Sequence, residues 1–250
     1  MDSFTGVRAL VTGGASGIGA AITAAMTARG ARVAVLDLSP GNLPDGVAGF
    51  TCDVGDRASV DDAVAAAARH LGGIDVLVNN AGVGAAGSVA DNDDDEWLRV
   101  LNINVVGMAR VSRAALPYLR ESNRAAIVNT GSVAATHGLP QRALYSASKG
   151  AVTALTRAMA ADHLREGIRV NCVNPGTADT PWVSRLLDAA EDPAAERSAL
   201  EARQPHGRLV TAEEVAASVL FLADPANGST SGTSLSVDGG MHSLLLRPTA

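Results

Sequence analysis

The residues best suited to proton transfer in this sequence are a tyrosine and a lysine. Of 20 basic residues only Lys149 is a lysine, and it lies four positions after Tyr145, one of two tyrosines. On a helix, positions i and i+4 share a face, so the ammonium can lie beside the phenol. A neighbouring positive charge stabilises a phenolate, which can then take a proton from a hydroxyl group. The pair therefore predicts general acid/base chemistry, and an ordinary surface lysine is the alternative.

A serine is the second polar candidate. Ser132 follows a predicted strand over 126–130 and precedes Tyr145 by 13 positions. Both residues should lie near the sheet edge at which open α/β folds bind ligands. The serine hydroxyl can hold a substrate oxygen and stabilise the charge that develops there. The alternatives are a helix-capping serine and a buried tyrosine with one hydrogen bond.

A glycine-rich turn follows the first predicted strand. Residues 12–19 read Thr-Gly-Gly-Ala-Ser-Gly-Ile-Gly, and a predicted helix begins within them. Small residues let the backbone approach a pyrophosphate, and the N–H groups and dipole of the helix N-terminus favour that anion. The spacing is Gly-x3-Gly-x-Gly, not the general Gly-x-Gly-x-x-Gly fingerprint. We expect a dinucleotide phosphate site here, and a purely structural turn is the alternative.

The end of the second predicted strand indicates which dinucleotide binds. Asp37 lies there, and a carboxylate at this position can accept hydrogen bonds from both hydroxyls of the adenosine ribose. It would also repel a 2′-phosphate. The next residue is Leu38, and the glycine-rich turn contains no Arg or Lys. These features favour NAD over NADP, whereas an aspartate that merely starts a loop is the alternative.

The elements that must position these residues alternate along the chain. Continuous apolar strands separated by helices predict a parallel sheet that is covered on both faces. We expect about seven strands and six helices in a doubly wound α/β fold. The predicted strands are 8–12, 32–37, 49–53, 74–79, 126–130, 169–173 and 234–238; the main predicted helices are 18–29, 59–71, 94–120, 143–165 and 211–222, the last with a capping box of Thr211 and Glu214.

Composition excludes several function classes. The 250 residues are 47% hydrophobic, with a net charge of −6 and a pI near 5.3. An acidic chain is a poor partner for nucleic acid or an anionic membrane surface. It also lacks an apolar run of about 18 residues and a signal-like N-terminus, so we expect a cytoplasmic protein. Cys52 and Cys172 should then be reduced thiols, and we expect no metal site.

The least regular stretch covers residues 180–208. It carries charges of both signs and the apolar residues Trp182, Leu186 and Leu187. A long segment between a strand and a helix predicts a substrate lid. A surface insertion with short helices is the alternative.

From about Thr5 to Gly240 the sequence resembles the short-chain dehydrogenase/reductases. The resemblance rests on ordered pieces at family spacings: 12–19, Asn79-Asn80-Ala81-Gly82, Asn104, Ser132, Tyr145-Ser-Ala-Ser-Lys149 and Pro175-Gly176. It implies a single Rossmann-like domain over 1–250, with nicotinamide at the carboxyl edge of the sheet. It also implies a homotetramer in which the helices near 94–120 and 143–165 pack against their mates.

The resemblance also assigns residues. In it Tyr145 takes the hydroxyl proton as hydride leaves for nicotinamide, with Ser132, Lys149 and Asn104 completing the catalytic set. Asn104 would hold a water that relays the proton from Lys149, and Asn102 is the alternative. The implied cofactor contacts include Tyr145, Lys149, Asp37 and the residues of the glycine-rich turn, Gly13, Ser16, Gly17, Ile18 and Gly19. Asp53 and Val54 would border the adenine, and Asn79, Ala81 and Gly82 the adenosine ribose. Pro175, Gly176 and Thr180 would hold the nicotinamide carboxamide.

The substrate is less well indicated. Residues 175–181 resemble a subgroup that oxidises hydroxy acids, sugar acids and sugars. Arg142 and Arg185 could clamp a carboxylate, or could be surface arginines. We therefore expect a hydroxy acid or sugar-derived acid; a neutral aldose, polyol or ketone, and a non-catalytic nucleotide-sensing protein of the same fold, are the alternatives. The remaining substrate-side candidates are His137, Gln141 and Trp182, the last as a stacking surface or as a lid anchor.

Overall fold

A parallel sheet of seven strands forms the centre of the molecule, which a computed structural model describes over residues 3–188 and 190–247. The order across the sheet is β3-β2-β1-β4-β5-β6-β9, and β7 pairs with β8 separately. The strands in chain order are β1 (Arg8–Thr12), β2 (Arg32–Asp37), β3 (Ala48–Thr51), β4 (Val76–Asn79), β5 (Ala126–Thr130), β6 (Arg169–Pro175), β7 (Ala178–Asp179), β8 (Val210–Thr211) and β9 (Ser234–Val237).

Helices cover both faces of this sheet. In chain order they are α1 (Gly17–Ala28), α2 (Arg57–Leu71), α3 (Asp94–Leu101), α4 (Met108–Arg120), α5 (Ala143–His163), α6 (Pro181–Asp188), α7 (Pro193–Ala202) and α8 (Ala212–Ala223). A π-helical turn, Asn102–Gly107, joins α3 to α4. Short 3₁₀ turns occupy Val133–Ala135, Leu164–Glu166 and Pro225–Asn227.

The alternation of side chains along each strand divides the core in two. In β1, Ala9 and Val11 pack in one cluster with α1 and α8, while Leu10 packs in the other with α2, α4 and α5. All three side chains are fully buried. A strand that is buried on both faces must be apolar throughout, which is why these strands read as continuous apolar runs.

The strand order reverses at β1. The chain moves from β1 through β2 to β3 on one side and returns to β4 on the other. The loops that leave β1 and β4 therefore diverge and leave a crevice at the carboxyl edge of the sheet. The predicted doubly wound parallel fold is confirmed, and the crevice is where its ligand should bind.

The structure corrects three details of the predicted elements. The predicted helix 94–120 contains the π-helical turn, so it is α3 and α4 joined through that turn. The irregular segment 180–208 contains two helices, α6 and α7. The predicted strand 74–79 begins at Val76. The capping box of Thr211 and Glu214 is confirmed.

A partly buried ion pair fastens β1 to the start of β4. The Asp75 carboxylate accepts hydrogen bonds from Nε and Nη2 of Arg8, at 2.9 and 2.6 Å, and one from the Ser122 hydroxyl at 2.7 Å. Burial alone would raise the pKa of Asp75. The hydrogen bonds from Arg8 and Ser122 and the Arg8 charge outweigh burial and hold that pKa below its usual value.

Asp75→Asn should lower the free energy of unfolding at pH 7 by about 2–4 kcal/mol, because it leaves Arg8 without its buried partner. Since the folded pKa lies below the unfolded one, this contribution is complete above about pH 4 and is lost as the pH falls through the folded pKa. Urea unfolding at several pH values measures it, with the exposed Asp62→Asn as control. If the difference in free energy of unfolding between wild type and variant did not narrow below pH 4, the stabilising role of the Asp75 carboxylate would be refuted.

Candidate active site

A cavity of about 450 Å³ opens at the carboxyl edge of the sheet. Its lining comes from the turns after β1, β2, β4, β5 and β6, from the start of α5, and from α6 and α7. Residues that are far apart in the sequence meet here because parallel strands end at the same edge.

The glycine-rich turn forms one end of the cavity. Gly13 and Gly17 have φ angles of +62° and +52°, a region that glycine enters without strain. A Cβ on Gly19 would collide with the carbonyl oxygen of Gly13, so Gly19 serves the close packing of the turn and does not line the cavity. Ser16 makes no side-chain capping bond with α1, and it lines the cavity together with Ile18. The first-turn N–H groups of α1 thus face a space that suits a pyrophosphate.

Side-chain bonds between β1 and β4 hold this turn in place. The Thr12 hydroxyl accepts hydrogen bonds from the backbone N–H of Asn80 and of Ala81, at 2.9 and 3.0 Å. The Asn80 amide donates to the carbonyls of Thr12 and Gly13, each at 3.2 Å. The two turns at the switch point are therefore one rigid unit.

Two carboxylates lie towards the end of the cavity beyond the glycine-rich turn. Asp37 accepts backbone hydrogen bonds from Ala15 and Ser39, each at 3.2 Å, which fixes its carboxylate against the glycine-rich turn. Asp53 is exposed and accepts from the N–H of Gly55 at 2.7 Å. Asp37, Asp53 and the neighbouring Val54 all line the cavity.

The tyrosine and the lysine meet in the middle of the cavity, as their spacing on α5 requires. Lys149 Nζ lies 5.8 Å from the centroid of the Tyr145 ring and donates to the Thr130 carbonyl at 2.9 Å. Lys149 is only 5% exposed. An ammonium has three N–H donors, and in the described structure one is used, which leaves two for the phenol oxygen and a ligand.

Ser132 lies in the same part of the cavity. It caps the 3₁₀ turn Val133–Ala135, where its hydroxyl oxygen accepts from the N–H of Ala134 at 3.1 Å. The hydroxyl hydrogen remains free to point at a ligand oxygen. Ser132, Tyr145 and Lys149 all line the cavity, so the structure brings these three predicted residues together.

Asn104 lies behind these residues, in the π-helical turn. Its amide oxygen accepts from Val83 N–H at 2.8 Å, and its amide nitrogen donates to the Val83 carbonyl and the Ser148 hydroxyl. A Cβ on Gly82 would lie 3.0 Å from Asn104 Oδ1 and 3.7 Å from Lys149 Nζ, which shows how close these groups are. The alternative residue, Asn102, donates instead to the Gly55 carbonyl.

Besides Gly19 and Asn104, three predicted residues do not line the cavity. The Asn79 amide donates to Ser112 and Asn129 inside the core, and its neighbour Asn80 lines the cavity instead. The His137 ring packs edge-on against His242, with ring centroids 5.7 Å apart. Gln141 is exposed, with a φ of +57° that turns the chain into α5. Only the first of these could have been foreseen, from the strand alternation that directs Asn79 towards α4.

The helices α6 and α7 form the wall furthest from the glycine-rich turn. Trp182 lies against Gly84, where an added Cβ would be 2.5 Å from the indole Cζ2. Arg142 and Arg185 line the cavity as predicted, and so does Arg203, which sequence reasoning missed. The spacing of Leu200 and Arg203, one helical turn apart, could have indicated that both face the cavity, but the helix α7 was not predicted.

The turn after β6 connects the end of the cavity at the glycine-rich turn with the wall formed by α6 and α7. Pro175 and Gly176 line the cavity, and Thr180 lies opposite Gly17, about 3.7 Å from where its Cβ would be. A side chain on Gly176 would strike the Gln204 amide, which donates to the Thr177 carbonyl at 3.2 Å. This buried glutamine fastens the end of α7 to the turn.

Comparisons with known proteins agree with this geometry. Residues 13–242 match a family model described as enoyl-(acyl carrier protein) reductase. The 2-(S)-hydroxypropyl-CoM dehydrogenase 3 of Xanthobacter autotrophicus is 40% identical, covering 94% of this chain and 96% of its own. The cis-4-hydroxycyclohexanecarboxylate dehydrogenase of Sinomonas cyclohexanicum is 40% identical, covering 96% and 98%. Ligand-free aldohexose dehydrogenase of Thermoplasma acidophilum has a TM-score of 0.93 at 31% identity, covering 100% and 99%.

The chain belongs to the short-chain dehydrogenase/reductase family. The family and the Rossmann-like fold expected from the sequence are thereby confirmed. As a short-chain dehydrogenase/reductase, the protein is an NAD(P)-dependent oxidoreductase of secondary alcohols. Within the described residues, every helix is too short or too polar to cross a membrane.

The cavity of this short-chain dehydrogenase/reductase fits a nicotinamide dinucleotide. The glycine-rich turn offers the N–H groups and the close approach that a pyrophosphate needs, and Asp37 lines the cavity beyond that turn. Burial raises the pKa of Cys52 and of Cys172 to about 11, so both thiols stay protonated near neutral pH.

Proposed function

We propose that this protein is an NAD-preferring dehydrogenase of a secondary alcohol that carries an anionic group, a hydroxy acid or a sugar-derived acid. The observation that carries this proposal is the state of two arginines. Arg142, three residues before Tyr145, and Arg185 of α6 both line the cavity, and in the described structure neither forms an ion pair. Unpaired guanidinium groups at a cavity wall suit an anionic substrate, which each can bind through two parallel hydrogen bonds.

The chemistry follows from the groups in the middle of the cavity. Tyr145 takes the proton of the substrate hydroxyl during oxidation and returns it during reduction. Lys149, beside the ring, stabilises the phenolate. Ser132 donates its free hydroxyl hydrogen to the substrate oxygen, where charge develops. Asn104 is placed to hold a water behind Lys149, through which the proton can leave.

The cofactor supplies the other half of the reaction. When bound, nicotinamide would supply the acceptor for the hydride of the alcohol carbon, or the hydride donor for the ketone. The preference for NAD is supported by Asp37, whose fixed carboxylate would repel a 2′-phosphate, and by the neutral neighbour Leu38. The cavity lining near Asp37 contains no basic side chain within the described residues.

We also propose that the segment 180–208 is a lid. Val183 and Leu187 of α6 pack in one small apolar cluster with Leu200 of α7 and with Leu209, which follows the segment. The two helices can therefore move together. Trp182 then acts as the anchor that seats the lid on Gly84.

Two further proposals concern the whole protein. One is a cytoplasmic location, which is expected from the sequence alone. The other is a homotetramer, which is supported by exposed apolar side chains on the α3–α4 stretch, where Leu98 is 67% and Val106 43% exposed. A mate that packs on this stretch would bury them.

Two other functions compete with this proposal. A neutral aldose, polyol or ketone would leave Arg142 and Arg185 without a role. A nucleotide-sensing protein without turnover would need neither Ser132 nor the Tyr145–Lys149 pair. The arginines and the assembled catalytic set favour an enzyme that acts on an anion.

Asp37→Ala should lower the NAD-to-NADP ratio of kcat/KM by about tenfold or more, because hydrogen bonds to a charged group contribute about 1.5–3 kcal/mol. The measurement is NADH or NADPH formation at saturating alcohol. Asp62→Ala, a charge change on the surface of α2, is the control. A wild-type enzyme that already preferred NADP would contradict the cofactor proposal.

Arg142→Leu should reduce kcat/KM for carboxylated alcohols by about tenfold to a hundredfold through the loss of a charge-assisted bond. Uncharged alcohols of the same skeleton should change little. The rates are compared by NADH absorbance, with Arg29→Leu at the far end of α1 as a matched control. An equal loss of kcat/KM on carboxylated and uncharged alcohols would refute the proposal that the substrate is an anion.

A further inference from the structure

The substrate end of the cavity, the part lined by residues beyond Ser132 and Tyr145, has an uneven chemical composition. Its walls are largely hydrocarbon: Val83, Val133, Leu139, Trp182, Leu186 and Leu200. Apart from Ser132 and Tyr145, the neutral polar side chains of the lining belong to the turns predicted to bind the cofactor, among them Ser16, Asn80 and Thr180. Asn80 is already bonded to Thr12 and Gly13. The substrate end therefore offers few partners for hydroxyl groups away from the reacting carbon.

Three arginines interrupt this apolar wall. Arg142 immediately precedes α5, Arg185 lies in α6, and Arg203 immediately follows α7. Arg185 lies one helical turn after Trp182, and Arg203 one turn after Leu200, so each helix presents an apolar residue and a guanidinium on one face.

Arg203 differs from the other arginine of its helix. Arg197 is neutralised by Asp179 and Glu201, each at 3.0 Å. Arg203, like Arg142 and Arg185, forms no ion pair in the described part of the chain. The acidic residues of the cavity lining, Asp37 and Asp53, lie instead among the predicted cofactor contacts.

We infer that the substrate is an aliphatic or alicyclic hydroxy acid, whose carboxylate binds Arg142, Arg185 and Arg203 and whose hydrocarbon body packs on the apolar wall. This rests on the proposed function and narrows it, because it excludes polyhydroxylated sugar acids. A carboxylate has about four acceptor positions, enough for three guanidinium groups. Each additional buried hydroxyl without a partner would weaken binding, whereas each buried CH₂ strengthens it.

Arg203 is then a specificity-determining residue on the lid. With Arg185 it places two of the three positive charges on the moving helices, so an anionic substrate binds both sides of the cavity at once. A neutral alcohol would contact the apolar side chains of the lid but would leave its two guanidinium groups unused.

The first experiment compares hydroxy acids of equal chain length with NAD as acceptor. The matched pairs are 3-hydroxybutyrate with threonate, and 3-hydroxyhexanoate with gluconate. The cyclic acid is 4-hydroxycyclohexanecarboxylate, and the uncharged alcohols are cyclohexanol and 2-hexanol. We expect the hydrocarbon acids to exceed the sugar acids in kcat/KM by about a hundredfold, since two or more unpaired hydroxyls each cost about 1–3 kcal/mol.

The outcomes separate the two proposals. A preference for threonate or gluconate would overturn this inference and leave the anionic-substrate proposal intact. A preference for cyclohexanol or 2-hexanol over every acid would overturn both.

The second experiment tests Arg203 directly. Arg203→Gln should raise KM for the best hydroxy acid by about tenfold or more, with a smaller change in kcat, and leave the matched uncharged alcohol within about twofold. Arg203→Lys should recover part of the loss, and Arg29→Gln should have no effect. Calorimetric titration of hexanoate into the enzyme with NAD gives a readout that does not depend on turnover. Equal losses for charged and uncharged alcohols, or unchanged hexanoate binding, would refute the role of Arg203.

Discussion

The buried ammonium of Lys149 is the constraint on which the site depends. Only 5% of the residue is exposed, and burying a charge is costly unless hydrogen bonds compensate. The carbonyl of Thr130, at the carboxyl end of β5, accepts one of its bonds. The strand end therefore fixes Nζ, and the preceding turn of α5 fixes the ring of Tyr145 beside it. The broad planar guanidinium of an arginine could not reproduce this arrangement in the same space.

The sheet explains why the remaining groups arrive at the same point. Because β1 is the strand at which the order reverses, the turns after β1 and β4 diverge and enclose a crevice. The bonds of Thr12 and Asn80 lock those turns together, so the phosphate cradle and the space behind Lys149 have one fixed geometry. The substrate end is built differently, from helices that pack mainly on each other and rest on Gly84 through Trp182. We read this as a rigid part that sets the chemistry and a separate part that selects the alcohol.

Much of this could be predicted from the sequence because the physical signals are local. Apolar runs define β1, β2 and β5 to the residue, and the i to i+4 spacing places Lys149 beside Tyr145. The prediction failed at single side chains. Strand alternation directs Asn79 of β4 into the core, although the family resemblance placed it at the cofactor, and Gln141 turns away through a left-handed backbone. Arg203 was missed because the periodicity of α7 is weak and its cavity-facing side is defined only by the rest of the fold.

The most direct test of the account is the rate of hydride transfer in Tyr145→Phe. Enzyme saturated with NAD is mixed with the alcohol that the wild type oxidises fastest, and NADH is followed through a single turnover. Removing the phenol oxygen takes away the group that accepts the proton, so the rate should fall by about a hundredfold to ten-thousandfold while NAD binding is retained. A variant that binds NAD and forms NADH as fast as the wild type would contradict the central claim.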